Sequence, residues 1–469
     1  MNILAKTLVS QLGKFYASID LESIPEPVIL KARRVLVDFL ATLAVGIIKG
    51  PLTPVLTHYF INIEGIEEST VFGIGKKLPA ANTAFIMGAI AHSVELDDGH
   101  RFGTCHPAVA VIPAALTVGE RNQRSFQDII IAIIKGYDIT LRVARSINPS
   151  HLNRGFHTTG TAGVFGSAMA SAHLLGMNSL DTTYCLSLAG LQSCGLQEML
   201  HDHPSIKVIQ AGRAASAGVM SADLVMLGAK SPRTLFEGKH GWLKAMTDQF
   251  SQEALLGELG ERWEILQTYT KLYPTCRHCH PAIDLAIALR EQLQDMDLSE
   301  IEAINVKTYR VAISEVAEIV IPSNFEEALF SLPFSLAIAL REGDVGIQHY
   351  SPANLSDESL IKLAKKVHIS LDKELDSKYP LHRGAILQII LNNGKTFEKE
   401  THLPKGEPDL PLTDDELFGK VQRITSPFYG DDFSKRLWSI IVDSDILGIQ
   451  YSELIDLFKE GLDENESFN

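Results

Sequence analysis

Residues 127–147 read QDIIIAIIKGYDITLRVARSI, with apolar side chains recurring at spacings of three and four. That period places them on one face of an α-helix. Residues 26–47, EPVILKARRVLVDFLATLAVGI, repeat the pattern, and Gly119 and Pro149 punctuate the helical runs. The first 270 or so residues therefore predict successive helices packed on one another. After Pro281 the period changes. One helix, AIDLAIALREQLQ (282–294), leads into the β-branched alternating run IEAINVKTYRVA (301–312). GAILQIILNNGKTFEKE (384–400) then holds two alternating runs about Asn392-Asn393-Gly394, a hairpin signal. PKGEPDLPLTDDEL (404–417) reads as a loop with a helix start at Thr413, helices return up to Leu457, and Lys459–Asn469 reads as a frayed tail. The expected fold is mainly α, with a helical domain over 1–270 and 401–469 and an α+β domain over 271–400.

Composition bounds what such a fold does. A chain of 469 residues, 45% hydrophobic, exceeds what one core usually fills, so two domains are expected. Lys and Arg total 42 against 57 Asp and Glu, a net of −15, which argues against nucleic acid or an anionic membrane as partner. An anionic substrate would need a locally positive site. The cysteines, Cys105, Cys185, Cys194, Cys276 and Cys279, are few and odd in number, which predicts reduced thiols and a cytoplasmic location. The N-terminal MNILAKTLVSQLGKFYASI lacks the compact apolar region and cleavage site of a secretory signal. The apolar GTAGVFGSAMASAHLLG (160–176) is rich in small residues and carries His173, so it predicts tight helix packing and no transmembrane span.

Between two alanine-rich runs lies AHSVELDDGHRFGTCHP (91–107), crowding His92, Glu95, Asp97, Asp98, His100 and His106. Carboxylates and imidazoles are costly to bury unless paired or at work, so this segment reads as the floor of an active site. Further segments join it. RGFHTTGTAGVFGSAMASA (154–172) sets His157 before a Thr158-Thr159-Gly160-Thr161 helix start whose N–H groups and hydroxyls, facing outward, would suit a carboxylate. HPSIKVIQAGRAASAGVMSA (203–222) offers Lys207 and Arg213 as a carboxylate clamp. KLYPTCRHCHPAIDLAIAL (271–289) crowds Arg277, His278 and His280 between prolines. Its single C-x-x-C lacks the second pair of a structural zinc site, the third cysteine of an iron–sulfur cluster and the βαβ context of a redox motif. EEALFSLPFSLAIALREGDV (326–345) reads as core.

Taken together and in order, these segments resemble the MmgE/PrpD family over nearly the whole chain; LAGLQSCGL (188–196) and LFEGKHGW (235–242) add to the match. Known members include 2-methylcitrate dehydratases, cis-aconitate decarboxylases and iminodisuccinate epimerases. The resemblance implies a large helical domain from both chain ends, a smaller α+β lid, a homodimer, and catalysis without metal or organic cofactor. Its acidic motif falls on Glu95, Asp97 and Asp98, its His-Pro on His106-Pro107, and its remaining site residues on His157, Lys207 and His280. Four departures stand out. The decarboxylases open the acidic motif with aspartate where this chain has Glu95, and carry a threonine at Gly99 and a tyrosine opposite Phe334. One extra residue precedes His106.

Dehydration, epimerisation and decarboxylation all pass close to a carbanion beside a carboxylate, so the site must fix carboxylate oxygens and place a proton carrier at carbon. The expected roles follow. Lys207, with Arg213, holds the polycarboxylate; His106 and His157 transfer protons; Asp97 and Asp98 orient imidazoles; His280 arrives from the lid. Glu95, Thr159 and Arg277 complete the expected substrate-binding set. The leading expectation is a cofactor-independent hydro-lyase acting on a small di- or tricarboxylic acid such as 2-methylcitrate. An epimerase of an imino- or hydroxy-dicarboxylate, a cis-aconitate decarboxylase-like lyase, a silent carboxylate-binding protein and a metal-dependent hydratase are the alternatives.

Overall fold

A computed structural model describes residues 6–63, 65–202, 204–293 and 296–463. The chain divides into two compact units, Met1–Ser93, Asp97–Thr268 and Asp415–Asn469 forming the first, Val94–Leu96 and Tyr269–Asp414 the second. The protein is mainly helical.

The helices of the first unit that carry the argument are α1 (Leu8–Ser18), α2 (Glu26–Lys49), α3 (Ala80–Ala91), α4 (Ala108–Arg121), α5 (Phe126–Ile147), α6 (Thr158–Leu174), α7 (Ser179–Gly190) and α8 (Val208–Met226). The apolar spacing of 127–147 forms α5, capped by Ser125, whose hydroxyl accepts from the Asp128 N–H while the Asp128 carboxylate accepts in return. Helix α6 lies at the centre, packed by α4, α5, α7 and α8, and nearly every residue of it is buried. Small residues make that possible. A Cβ on Gly166 would fall 1.9 Å from Thr140 Oγ1, and one on Gly136 2.8 Å from the Gly166 carbonyl, so α5 and α6 approach to a distance only glycine permits. Among the described residues no single helix is long and apolar enough to cross a membrane.

The second unit holds α9 (His280–Arg290), α10 (Leu332–Glu342) and a four-stranded sheet of β1 (Ile301–Thr308), β2 (Val367–Leu371), β3 (Ala385–Leu391) and β4 (Thr396–Thr401). The sheet order is β2-β1-β3-β4, with β1 parallel to β2 and the other pairs antiparallel. The hairpin read from Asn392-Asn393-Gly394 joins β3 to β4, with Gly394 at φ 83°. Strand β3 buries alternate residues, Ala385, Leu387, Ile389 and Leu391, beneath α9.

The chain then returns to the first unit through α11 (Asp414–Trp438), interrupted at Gly430, and α12 (Tyr451–Asp463). Lys420 on α11 donates to Asp38 on α2 at 2.5 Å, both side chains buried, which ties the C-terminal return to the N-terminal helices. The expected tail from Lys459 is corrected in part, because Lys459–Asp463 continue α12; 464–469 lie outside the described residues.

Candidate active site

Where α3 ends, its apolar run gives way to the acidic segment, and His92 is held within the first unit with no side-chain exposure. Its Nδ1 lies 2.8 Å from Asp97 Oδ2, and its Nε2 has no hydrogen-bond partner among the described residues. Asp97 Oδ2 also lies 3.1 Å from His106 Nδ1, so one carboxylate oxygen serves two imidazoles. Burial works against the Asp97 anion, yet His92 and His106 hold its carboxyl well below the usual range. Burial drives His92 down to about 3 against the pull of Asp97, with Lys207 acting in the same sense as burial.

His106 decides what this cluster can do. Its Nδ1 lies 2.6 Å from the Asp98 carbonyl, and a carbonyl only accepts, so that nitrogen carries a proton and Nε2 is the nitrogen left to exchange one. The ring is 20% exposed, and its backbone N–H donates to Thr159 Oγ1 at 3.1 Å. Thr159 therefore positions His106. Asp98 itself is buried, accepting from the Ala108 N–H at 3.2 Å and from the Tyr137 hydroxyl at 3.0 Å. Burial, with Asp97 beside it, pushes its carboxyl up to about 7.

His157 forms the N-cap of α6, and its ring stacks on His92 with centroids 6.3 Å apart. Its Nδ1 lies 2.8 Å from Gln210 Oε1 on α8, and burial, with His106 adding to it, lowers it to about 4. Lys207 is the residue just before α8, 7% exposed and within electrostatic reach of His92. The first unit thus brings together Asp97, Asp98, His106, His157, Thr159 and Lys207 of the expected set.

Two expectations for this unit are corrected. The threonine hydroxyls at the start of α6 face inward: Thr158 accepts from Asn148, Thr159 from His106, and Thr161 is 2.7 Å from His151 Nε2. Arg213 does not present a free fork; its guanidinium donates to the carbonyls of Gln192, Cys194 and Gly160 at 2.6, 3.2 and 3.5 Å. It braces the 192–194 backbone against α6.

In the second unit Glu95 is buried at φ 54° and accepts from Lys271 Nζ at 2.8 Å. A non-glycine residue in the left-handed region stores strain, and such strain clusters at functional positions. Arg277, expected to bind substrate, is 3% exposed and donates to Glu407 at 3.1 Å, to the Lys405 carbonyl at 3.1 Å and to His280 Nδ1 at 3.0 Å. Its guanidinium is a positioning group. Because Arg277 only donates, His280 Nδ1 is an acceptor and Nε2 bears the proton.

Four functional candidates escaped the expected set: His92, Tyr137, Gln210 and Lys271. His92 stood in the quoted acidic segment and Lys271 opened the proline-flanked one, while Tyr137 and Gln210 carried no signal beyond lying in helical runs. Among the described residues, His92, Asp97 and His106 are the His/Cys/Asp/Glu group whose ligand atoms converge, all within 4.8 Å. With its Nδ1 turned to the Asp98 carbonyl, His106 would offer an ion only Nε2.

An imidazole held through Nδ1, a carboxylate behind it and a lysine nearby are the parts that proton transfer beside an anionic group requires. The chain belongs to the MmgE/PrpD family: the model of the MmgE/PrpD N-terminal domain matches residues 10–254 and that of the C-terminal domain 273–445. A cis-aconitate decarboxylase-like protein of Aspergillus oryzae is 24% identical over 96% of this chain and 97% of its own. Cis-aconitate decarboxylase of Aspergillus terreus is 24% identical over 96% and 95%, and that of Homo sapiens 23% over 94% and 92%. These relatives are lyases, and lyase is the class of this enzyme.

Proposed function

We propose that the protein is a hydro-lyase acting on a small tricarboxylic acid of the citrate type, 2-methylcitrate being the first to try, with the chemistry run by side chains. The observation that carries this reading is His106, partly exposed, its Nδ1 proton fixed by the Asp98 carbonyl and Asp97, which leaves Nε2 for proton exchange. A base so fixed removes a proton from the carbon beside a carboxylate; Lys207 holds the carboxylate and offsets the charge that develops on it as an enediolate. The imidazolium of His106 then gives that proton to the departing hydroxyl, which leaves as water, while His157 accepts a hydrogen bond from it. Asp97 stabilises the imidazolium that forms on His106, as a buried carboxylate behind a catalytic histidine does.

Decarboxylation of a cis-aconitate-type acid is the second reading, favoured by what the relatives are named for. It uses the same base and lysine but breaks a carbon–carbon bond, and the proton returns to carbon. Proton NMR in D₂O separates the two, using chelator-treated protein with 2-methylcitrate, citrate, cis-aconitate and an iminodisuccinate-forming mixture. Vinyl or allylic signals from a citrate support dehydration, and the methylene signals of itaconate support decarboxylation. Deuterium exchange without new product makes the enzyme an epimerase, and silence on every acid refutes a lyase acting on this class. A homodimer in the cytoplasm is proposed from the family resemblance, to be checked by sedimentation and fractionation.

A further inference from the structure

Gln210 is a neutral residue on α8, one turn after Lys207, and its amide orientation is fixed by what it touches. Its Nε2 donates to the Leu196 carbonyl at 2.9 Å, and a carbonyl cannot donate, so the NH₂ group faces Leu196 and Oε1 faces His157. His157 Nδ1, 2.8 Å from that oxygen, must then be the donor. The surrounding backbone keeps the amide there. The His157 N–H donates to the Gly195 carbonyl at 3.0 Å, and a Cβ at Gly195 would lie 2.8 Å from Gln210 Oε1. A Cβ at Gly160 would lie 3.3 Å from Gln210 Cβ and 2.7 Å from the Cys194 carbonyl, so two glycines clear the space this side chain occupies.

We infer that Gln210 is the positioning residue that divides the labour of the two histidines. It fixes His157 as the neutral Nδ1–H tautomer, so that His106 alone carries the proton and His157 serves the substrate as a hydrogen-bond acceptor through Nε2. The contrast lies in the partner behind each ring. Asp97 stands behind His106 and stabilises its imidazolium, whereas an amide stands behind His157 and gives an imidazolium no charge to rest on. The other groups bearing on His157 are His92, stacked on it, His106, which opposes a second cation, and the more distant Asp97, which favours one. The neutral form prevails, consistent with its low proton affinity. This assignment rests on the proton-transfer reading of the site, and a tautomer can be measured without turnover, so the two fail separately.

The test uses protein labelled with ¹⁵N in the histidine rings, with His157 assigned by difference against His157→Gln. Long-range ¹H–¹⁵N correlation should show His157 in the Nδ1–H form with no titration between about pH 5.5 and 8.5. Gln210→Glu should move the His157 titration up by about one to three pH units. It should also add a second ionisation to the pH profile of kcat/KM. Gln210→Met should lose the single tautomer. A wild-type His157 in the Nε2–H form, or titrating in that window, overturns the inference, as does a Gln210→Glu protein whose His157 spectrum is unchanged. Should Gln210→Glu not fold, the wild-type tautomer decides.

Discussion

Lowering the pH from 7 to 5 should destabilise the first unit by an amount that its buried groups set. His92, His157 and His173 are held neutral, at about 3, 4 and 4, against an ordinary value of 6.5. The folded values are depressed bases, so their stabilisation is complete above pH 6.5 and lost as the pH falls from there toward 4. Between pH 7 and 5 each loses about 1.4 units, or about 6 kcal/mol for the three together. Asp98 acts in the opposite sense. Its folded value, about 7, lies above its ordinary 3.8, so its stabilisation is complete below pH 3.8 and lost as the pH rises through 7. Over the same interval Asp98 returns about 1.7 units, or about 2 kcal/mol, leaving a net loss of about 3–4 kcal/mol. All three tryptophans, Trp242, Trp263 and Trp438, lie in the first unit, so urea unfolding followed by their fluorescence reads this unit directly. Asp98→Asn removes the returning contribution, and its loss between the two pH values should approach about 6 kcal/mol. Equal losses in the wild type and in Asp98→Asn, or a flat wild-type profile, would refute the neutral-histidine and protonated-aspartate assignments together.

Asp97→Asn should keep the fold and lower kcat by about 10²- to 10⁴-fold, because an amide at that position gives the imidazolium of His106 no charge to rest on; steady-state rates beside circular dichroism check this. Lys271→Met takes the ammonium away from a buried Glu95 carboxylate and should cost about 3–5 kcal/mol in thermal or urea unfolding, with Lys271→Met/Glu95→Gln recovering more than half. Arg213→Ala leaves backbone carbonyls without a donor and should cost about 1–3 kcal/mol while KM changes less than about tenfold. A large rise in KM with unchanged stability would restore the clamp role.

The period of 127–147 and the Asn-Gly turn were legible because each is a local property: three-and-four spacing buries one helix face, and Gly394 accepts a positive φ that its neighbours resist. The site was legible as composition, since His92, Asp97, Asp98 and His106 crowd into one segment. Roles were less so. Arg213 and Arg277 looked like carboxylate forks, but each is consumed by acceptors supplied after folding: for Arg213 the carbonyls of 192 and 194, for Arg277 Glu407 and the Lys405 backbone. Lys271 and Glu95 lie 176 positions apart, and no spacing rule joins a lysine to a carboxylate at that separation. Gln210 was silent because an amide announces neither charge nor nucleophile; only the geometry of Leu196 on one side and His157 on the other gives it a role.

The departures from the decarboxylases acquire physical meaning from where they fall. Before His106 the chain makes a tight turn, where the His100 N–H donates to the Cys105 carbonyl at 3.0 Å and Thr104 adopts φ 49°. Asp98 and His106 meet on either side of that turn. Glu95 carries one methylene more than aspartate and spends its length on Lys271. Phe334 lies fully buried on α10, its ring 6.4 Å from Tyr350, and supplies no hydroxyl. The proposed proton-transfer group lies wholly in the first unit, while Glu95 and Phe334 lie in the second. On the proposed reading, that pattern alters which acid is accepted and which bond breaks, and it retains the removal of a proton beside a carboxylate.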